Sequence, residues 1–361
     1  MDIYRDLIAQ WNSGNPVSMG VVVEAMGSTP QKAGSKALVD RNKRQWGTLG
    51  GGMVEADGFR RMSEVLESGN AETYEYRLDQ DYSRQAGPIC GGLMRFFLIC
   101  PSEDERSAYQ KAIAAFECRE RGVLVSFFGD SAVSNRVVWC SENDIKKKEV
   151  DSRLSPSLDE LIDCVKLEHP MLIKSGNGEE MYLEPILAHP RLLIVGGGHV
   201  GQAVAVQADL LGFEVNVYDD RVEYTDPSLF PPGTITKHGN LKELVTAFPK
   251  DSDTYVVLVS KGHRPDAEAL EGCIQSDLRY LGMIGSRRKI RFLHTHFLEE
   301  GLCSEEEWNR IHTPIGYDFG AVSVPEIGVS IGAQLIAARR KPETLNKTSS
   351  LTLRFQDKVT S

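Results

Sequence analysis

No apolar run in this chain approaches the ~18 consecutive residues that span a bilayer as a helix. The opening stretch, MDIYRDLIAQW, contains acidic residues and lacks the cationic start and apolar middle of a secretory leader. These two absences lead us to expect a cytoplasmic protein. An excess of positive charge is also missing. Lys and Arg number 41 against 51 Asp and Glu, for a net charge of −10. No broad electrostatic footprint for nucleic acid is therefore expected, and no membrane association. Cys-x-x-Cys pairs are absent too. The seven cysteines, Cys90, Cys100, Cys118, Cys140, Cys164, Cys273 and Cys303, are odd in number and widely spaced. This excludes a disulfide framework and a zinc ribbon. Most are expected to be reduced, small core hydrophobes. Asn346-Lys347-Thr348 matches a glycosylation sequon, which without a secretory route is accidental.

What is present is enough for two domains. A chain of 361 residues exceeds one ordinary core, and its 41% hydrophobic and 25% charged content is that of a globular protein. In the first half, Met1 to Trp11 has helical spacing. Met19 to Met26, Lys36 to Asp40, "ETYEYRL", "GVLVSFFG" and "SNRVVWC" read as strands. Val54 to Leu66 and Ser107 to Arg119 read as helices, with Gly69 as a stop. The polar stretch "SENDIKKKEVDSRLSPS" reads as a solvated turn or the start of a linker. The domain boundary is expected near 175–190.

Beyond Pro190 strands and helices alternate, which predicts a parallel, doubly wound sheet. The expected fold is α/β: an N-terminal α+β domain over 1–180, a Rossmann-like domain over 188–340, and a polar tail over 341–361. The strand "LLIV" runs into Gly196-Gly197-Gly198-His199-Val200-Gly201, which opens a helix, and Asp219 ends the next strand. GxGxxG in that context is a nucleotide-type loop. Gly196 suits the tight turn, Gly198 lets a diphosphate approach the backbone, and Gly201 lets helix and strand pack closely. If the ligand is a dinucleotide, Asp219 favours a free ribose hydroxyl and hence NAD. His199 has two readings, donation to an anionic ligand or exposure to solvent. Lys261, His263, Arg264, Arg287, Arg288 and the segment His312 to Ala321 follow other strands of the sheet and are expected at its carboxyl end. His294 and His296 are two apart on a helix, a poor metal pair.

A second feature lies in "GPICGGLMRFFLIC". Cys90 follows a Gly-Pro turn and precedes Gly91 and Gly92, at the mouth of an apolar run. Two readings are open: a turn cysteine without chemistry, or a thiol bared so that a bulky ligand reaches its sulfur.

Five blocks taken together resemble one family. They are "GSTPQKAGSKALVD…GTLGGGMVEA", "GPICGGLMRFF", "RLLIVGGGHVGQAVA…VYDDR", "GMIGSRRK" and "HTPIGYDFGAVSVPEIGVSIGAQ". The resemblance, over residues 15–340, is to the XdhC/CoxI family, the accessory factors of xanthine dehydrogenase and related molybdenum hydroxylases. It implies a chaperone rather than a turnover enzyme. Such a protein binds the molybdenum cofactor (molybdopterin with its metal), supports its sulfuration by a cysteine desulfurase, and inserts it into the apo-hydroxylase. The family's Cys-Gly-Gly motif falls on Cys90, Gly91 and Gly92, with Cys90 as the metal-side thiol. Its glycine block falls on Gly50, Gly51 and Gly52. Two departures stand out: Gln31 where the family has arginine, and Met53 where it often has cysteine. A homodimer is expected, with the ligand between the two domains. The alternatives are an NAD-dependent oxidoreductase, with His263 or His312 as acid/base, and an NAD-sensing regulator.

Overall fold

The computed structural model describes residues 1–78, 92–128, 137–174 and 180–345. Cys90 and Gly91 lie outside the described residues. The chain divides into two compact units, Met1–Ala188 and His189–Ser361.

In the first unit the elements run α1 (Asp2–Asn12), β1 (Val17–Gly27), β2 (Lys36–Asp40), β3 (Gln45–Gly47), α2 (Gly52–Ser68), β4 (Glu72–Arg77), β5 (Gly92–Ile99), α3 (Arg106–Glu117), β6 (Gly122–Phe128), β7 (Val137–Ser141), α4 (Glu142–Lys147), α5 (Leu158–Leu167), β8 (Met171–Lys174) and β9 (Glu180–Ile186). They build two antiparallel sheets, ordered β3-β2-β1-β5-β4 and β7-β6-β9-β8. Alternation along β1 explains the layering. Val17, Met19, Val21 and Val23 join Tyr109, Leu124 and Tyr182 in the core shared by both sheets, with α1 and α3. Val22 points the other way, into the core under α2. A strand buried on both faces needs this continuous apolar run.

The stretch 141–157 is a correction to the expected solvated turn or linker. It holds α4, and α5 follows directly. Ser141 caps α4 by accepting the Asp144 N–H at 3.1 Å, while its hydroxyl donates to the Asp144 carboxylate at 2.7 Å. A helix of six residues is too short to show a 3.6-residue period, and its one core anchor is Ile145. α5 does show the period, through Leu161, Cys164 and Val165.

The second unit runs β10 (Arg191–Val195), α6 (His199–Leu210), β11 (Glu214–Asp219), β12 (Ile235–His238), α7 (Leu241–Ala247), β13 (Thr254–Leu258), α8 (Arg264–Glu271), β14 (Tyr280–Met283), α9 (Arg287–Glu299), α10 (Glu305–Asn309) and α11 (Val324–Arg340). Its sheet is parallel in every pair and ordered β12-β11-β10-β13-β14. This is the expected doubly wound Rossmann-like fold. Leu193 and Val195 feed the core beneath α7, α8 and α9, while Leu192 and Ile194 feed the core beneath α6 and α11. The strand order reverses between β10 and β13, and loops at that point form the natural crevice.

The end of the first unit has a testable consequence. β9 pairs with both β6 and β8, and buries Met181, Tyr182, Leu183 and Ile186. A fragment 1–188 should unfold cooperatively in urea and keep a near-ultraviolet circular dichroism signal. A fragment 1–179 lacks β9, bares the edges of β6 and β8, and should show neither. Equal cooperativity in the two fragments would count against this account.

Candidate functional site

The Gly196–Gly201 loop is built by close backbone approach. Gly196 has φ +110°, and a Cβ there would stand 2.7 Å from the Ser260 backbone. Gly201, in the first turn of α6, passes so near the Gly196 carbonyl that a Cβ would collide with it. Gly198 differs. It caps α6, and a Cβ there would meet nothing within 4 Å. The helix's own ladder begins with Gln202 N–H donating to the Gly198 carbonyl at 2.9 Å. The first amides of α6 thus stand at the positive helix end, beside an open glycine face. His199 is exposed.

Asp219 does a different job from the ribose contact expected of it. It is buried, and its Oδ2 accepts the Gly197 N–H at 2.8 Å. Arg221 donates to its Oδ1 from the backbone N–H at 2.9 Å and from Nε at 3.0 Å, and to Oδ2 from a guanidinium nitrogen at 3.0 Å. Both oxygens are therefore committed to holding the glycine loop and the following turn. Burial, with the Asp219 hydrogen bond and charge added, raises the neighbouring Asp220 carboxyl above its ordinary value.

The loops after β13 and β14 are tied by a buried group that sequence reasoning missed. Asp266 is fully buried, and accepts from the Ser260 N–H at 3.2 Å, from the Ser260 hydroxyl and from Lys289. Lys289 also donates to the Ile284 carbonyl at 3.2 Å. Burial pushes the Asp266 carboxyl up, and Lys289 pulls against it. The signal in the sequence was weak: an aspartate just past a proline, and a lysine behind two arginines. Lys261, His263, Arg264, Arg287 and Arg288 are exposed, and Arg264 pairs with Glu268 at 2.9 Å. The segment from His312 is pinned inward. His312 stacks on Tyr280 at 4.9 Å, and Gln334 Oε1 accepts from the Tyr280 hydroxyl at 2.5 Å and the Gly316 N–H at 2.6 Å. Burial holds the His312 imidazole below its ordinary range.

In the first unit, three sequence blocks converge. Antiparallel pairing sets Gly27 opposite Gly92. A Cβ on Gly92 would collide with the Ser28 carbonyl and stand 3.0 Å from Thr29 Cγ2. A Cβ on Gly50 would stand 3.1 Å from Pro30 Cγ. Gly50, Gly51 and Gly52 all have positive φ, and Gly51 and Gly52 face open space at the start of α2. The loop is latched by Glu55, which accepts from the Thr48 hydroxyl at 2.6 Å and the Leu49 N–H at 3.2 Å. Gln31 turns into its own loop, accepting from the Ser35 hydroxyl at 2.9 Å. Met53 is exposed beside the open glycines, and so is Met26 at the end of β1.

Two family descriptions match the chain: the XdhC and CoxI family over residues 10–77, and the XdhC Rossmann domain over residues 192–335. Together they take in more than half of its length. The chain belongs to the XdhC and CoxI family.

Three relatives of this XdhC-type chain are bacterial. The protein YqeB of Escherichia coli is 24% identical over 94% of this chain, which spans only 46% of that relative's length. A protein of Bacillus subtilis described as a probable xanthine dehydrogenase subunit is 25% identical, covering 90% of this chain and 93% of the relative. The molybdenum cofactor insertion chaperone PaoD of Escherichia coli is 23% identical, covering 94% and 89%. Among solved structures, one described as a xanthine dehydrogenase from Bacillus halodurans superposes with a TM-score of 0.71 at 20% identity, over 97% of this chain and 99% of that one. That likeness shows the fold.

Four of the described cysteines of this XdhC-type chain are buried thiols whose proton is held more tightly than usual. Cys140, Cys164 and Cys273 are buried, and burial pushes each thiol up to about 12. Cys303 is buried and also raised, while Cys118 is exposed. Cys100, expected in the core, is only half-buried, and its thiol donates to the Val65 carbonyl at 3.3 Å. Among the described residues no group of three His, Cys, Asp or Glu side chains could hold a metal. No described helix is long and apolar enough to cross a membrane.

Two outcomes follow from this geometry. Gly201→Ala should cost about 1–3 kcal/mol, since the added methyl overpacks the α6–β10 contact. Gly198→Ala, at φ −67° and facing open space, should stay within about 0.5 kcal/mol. Thermal midpoints of the two variants decide it, and equal losses would refute the open face at Gly198. The second concerns acid. Because burial lowers the folded-state pKa of His312, its contribution is fully present above its ordinary value of about 6.5 and lost as pH falls through the folded value. His312→Phe keeps a ring against Tyr280. Its midpoint should fall less than the wild type's between about pH 7 and about pH 5. Parallel pH profiles would show that His312 does not carry the acid sensitivity.

Proposed function

We propose that this chain carries the molybdenum cofactor as cargo and delivers it to a molybdenum hydroxylase of the xanthine dehydrogenase type. The observation that carries the reading is the convergence of Ser28–Pro30, Gly50 and Gly92, with the open faces of Gly51 and Gly52 beside them. Cys90 stands two residues before Gly92 in the chain. Family membership, and a relative named as a molybdenum cofactor insertion chaperone, support the same reading.

The cargo is a bulky anionic pterin with a soft-ligand metal, and the residues present fit it. Bare glycines leave room for a ring system and its phosphate. Backbone N–H groups at the starts of α2 and α6 favour an anion. A thiolate at Cys90 is a soft donor suited to molybdenum and to the sulfur that completes the cofactor. In this reading Cys90 holds the metal side with Gly91 beside it in the chain, Gly51 and Gly52 admit the pterin, and the tightly packed Gly50 and Gly92 shape the wall of the site. Gly196, Gly198, His199 and Gly201 form a second anion-accepting loop, with Asp219 as its internal brace. A cysteine desulfurase supplies the sulfur, a homodimer is the working unit, and the cytoplasm is the compartment.

The test separates chemistry from folding. Cys90→Ser should lower molybdenum per folded chain, and reactivation of an apo-hydroxylase, by about tenfold or more, equivalent to about 1.4 kcal/mol of affinity. Cys100→Ser is the matched control. Serine can keep the bond to Val65, so both readouts should stay at wild-type level. Wild-type molybdenum content and reactivation in Cys90→Ser would defeat the proposed role of the Cys-Gly-Gly turn.

A further inference from the structure

The exposed face of α9 is cationic in a chain that is acidic overall. The helix reads RRKIRFLHTHFLE, with four Lys and Arg in its first five residues. Cations there oppose the helix dipole, which favours negative charge in the first turn. Lys289 is accounted for by Asp266. The arginines point outward. Arg287, Arg288, Arg291, Phe292 and Thr295 line one open groove of about 540 Å³. Among the described residues, Arg288 and Arg291 form no ion pair. Phe292 is 56% exposed, a large apolar ring set among guanidinium groups. It is held in place by two imidazoles, His263 edge-on at 5.5 Å and His296 stacked at 6.3 Å.

We infer that this face docks a short acidic segment of a partner protein, one that brings an apolar or aromatic residue between its carboxylates. The argument is charge complementarity joined to shape. Guanidinium forks pair bidentately with carboxylates. An exposed phenylalanine flanked by arginines is the composition of an interface anchor. From Arg288 to Thr295 the groove runs seven residues of helix, ~10 Å at 1.5 Å per residue, which matches about three residues of extended chain. A long polyanion fits poorly. Nucleic acid or an anionic membrane would also meet the rest of a chain with net charge −10, whereas screening over ~8 Å confines a short peptide's contacts to the patch. The inference concerns the second unit alone and holds whatever cargo the protein carries.

The test uses the full chain and a fluorescein-labelled peptide, Asp-Asp-Glu-Phe-Glu-Asp-Asp. Its counterparts carry Lys at every acidic position, or Gly in place of Phe. The acidic peptide should bind the wild type. Binding should weaken about tenfold or more in Arg288→Glu/Arg291→Glu, and the lysine peptide should bind that reversed variant instead. Phe292→Ala should reduce the phenylalanine peptide to the level of its glycine counterpart. All three positions are exposed, so thermal midpoints should not move, and they verify that the variants fold. No binding of the acidic peptide to the wild type, or equal binding to wild type and reversed variant, overturns the inference. So does a preference for phosphatidylserine vesicles or oligothymidylate over the peptide.

Discussion

Backbone in this protein passes so close to backbone at a few glycines that no other residue fits, and the candidate sites are consequences of those approaches. At Gly92 the β5 chain lies against the Ser28 carbonyl, which drags the turn after β1 onto the start of β5. At Gly201 the first turn of α6 lies against the Gly196 carbonyl, which seats the helix end directly over β10. In each case a steric limit on one atom decides where a loop sits. The open glycines next to them, Gly51, Gly52 and Gly198, are then left facing space that a ligand can use. The tight glycines fix the loops, and the open ones leave uncovered backbone beside them.

Polar groups taken out of water fix the rest. Along β9, Glu180, Tyr182 and Glu184 share one face by the two-residue period. Glu180 takes Arg95 of β5, and Glu184 takes Lys36 of β2 at 2.7 Å and the Tyr4 hydroxyl at 2.5 Å. These pairs join the two sheets of the first unit. Half-buried ion pairs such as these add little net stability, yet they penalise any register that separates the partners. Asp219 and Asp266 act similarly in the second unit, bracing the loops at the strand ends. Both carboxylates are thereby committed to loops of the fold itself.

The same division applies to sulfur. Four of the described cysteines are buried in apolar surroundings that keep their thiols protonated. Under the proposed function, soft-donor chemistry would fall to cysteines outside those cores. Cys90, between a Gly-Pro turn and two glycines, is the one whose neighbours in the sequence leave it room.

Periodicity and glycine spacing were enough, by themselves, to determine the doubly wound second half, its glycine loop and most strands of the first half. These signals are local: a two- or 3.6-residue repeat, or a turn that only glycine makes. They failed at α4, where six residues give no period, and at the short strands β3 and β8. They also failed at Asp219 and Asp266. A carboxylate at a strand end, or in the first turn of the helix that follows, reads identically whether it faces a ligand or its own loop. Only the tertiary structure decided that Arg221 and the Gly197 amide claim the first, and that Lys289 and Ser260 claim the second. The meeting of Ser28–Pro30, Gly50 and Gly92 was likewise invisible in the chain order. It comes from the β1–β5 pairing, a contact between segments some 65 residues apart, and no local preference encodes a long-range approach.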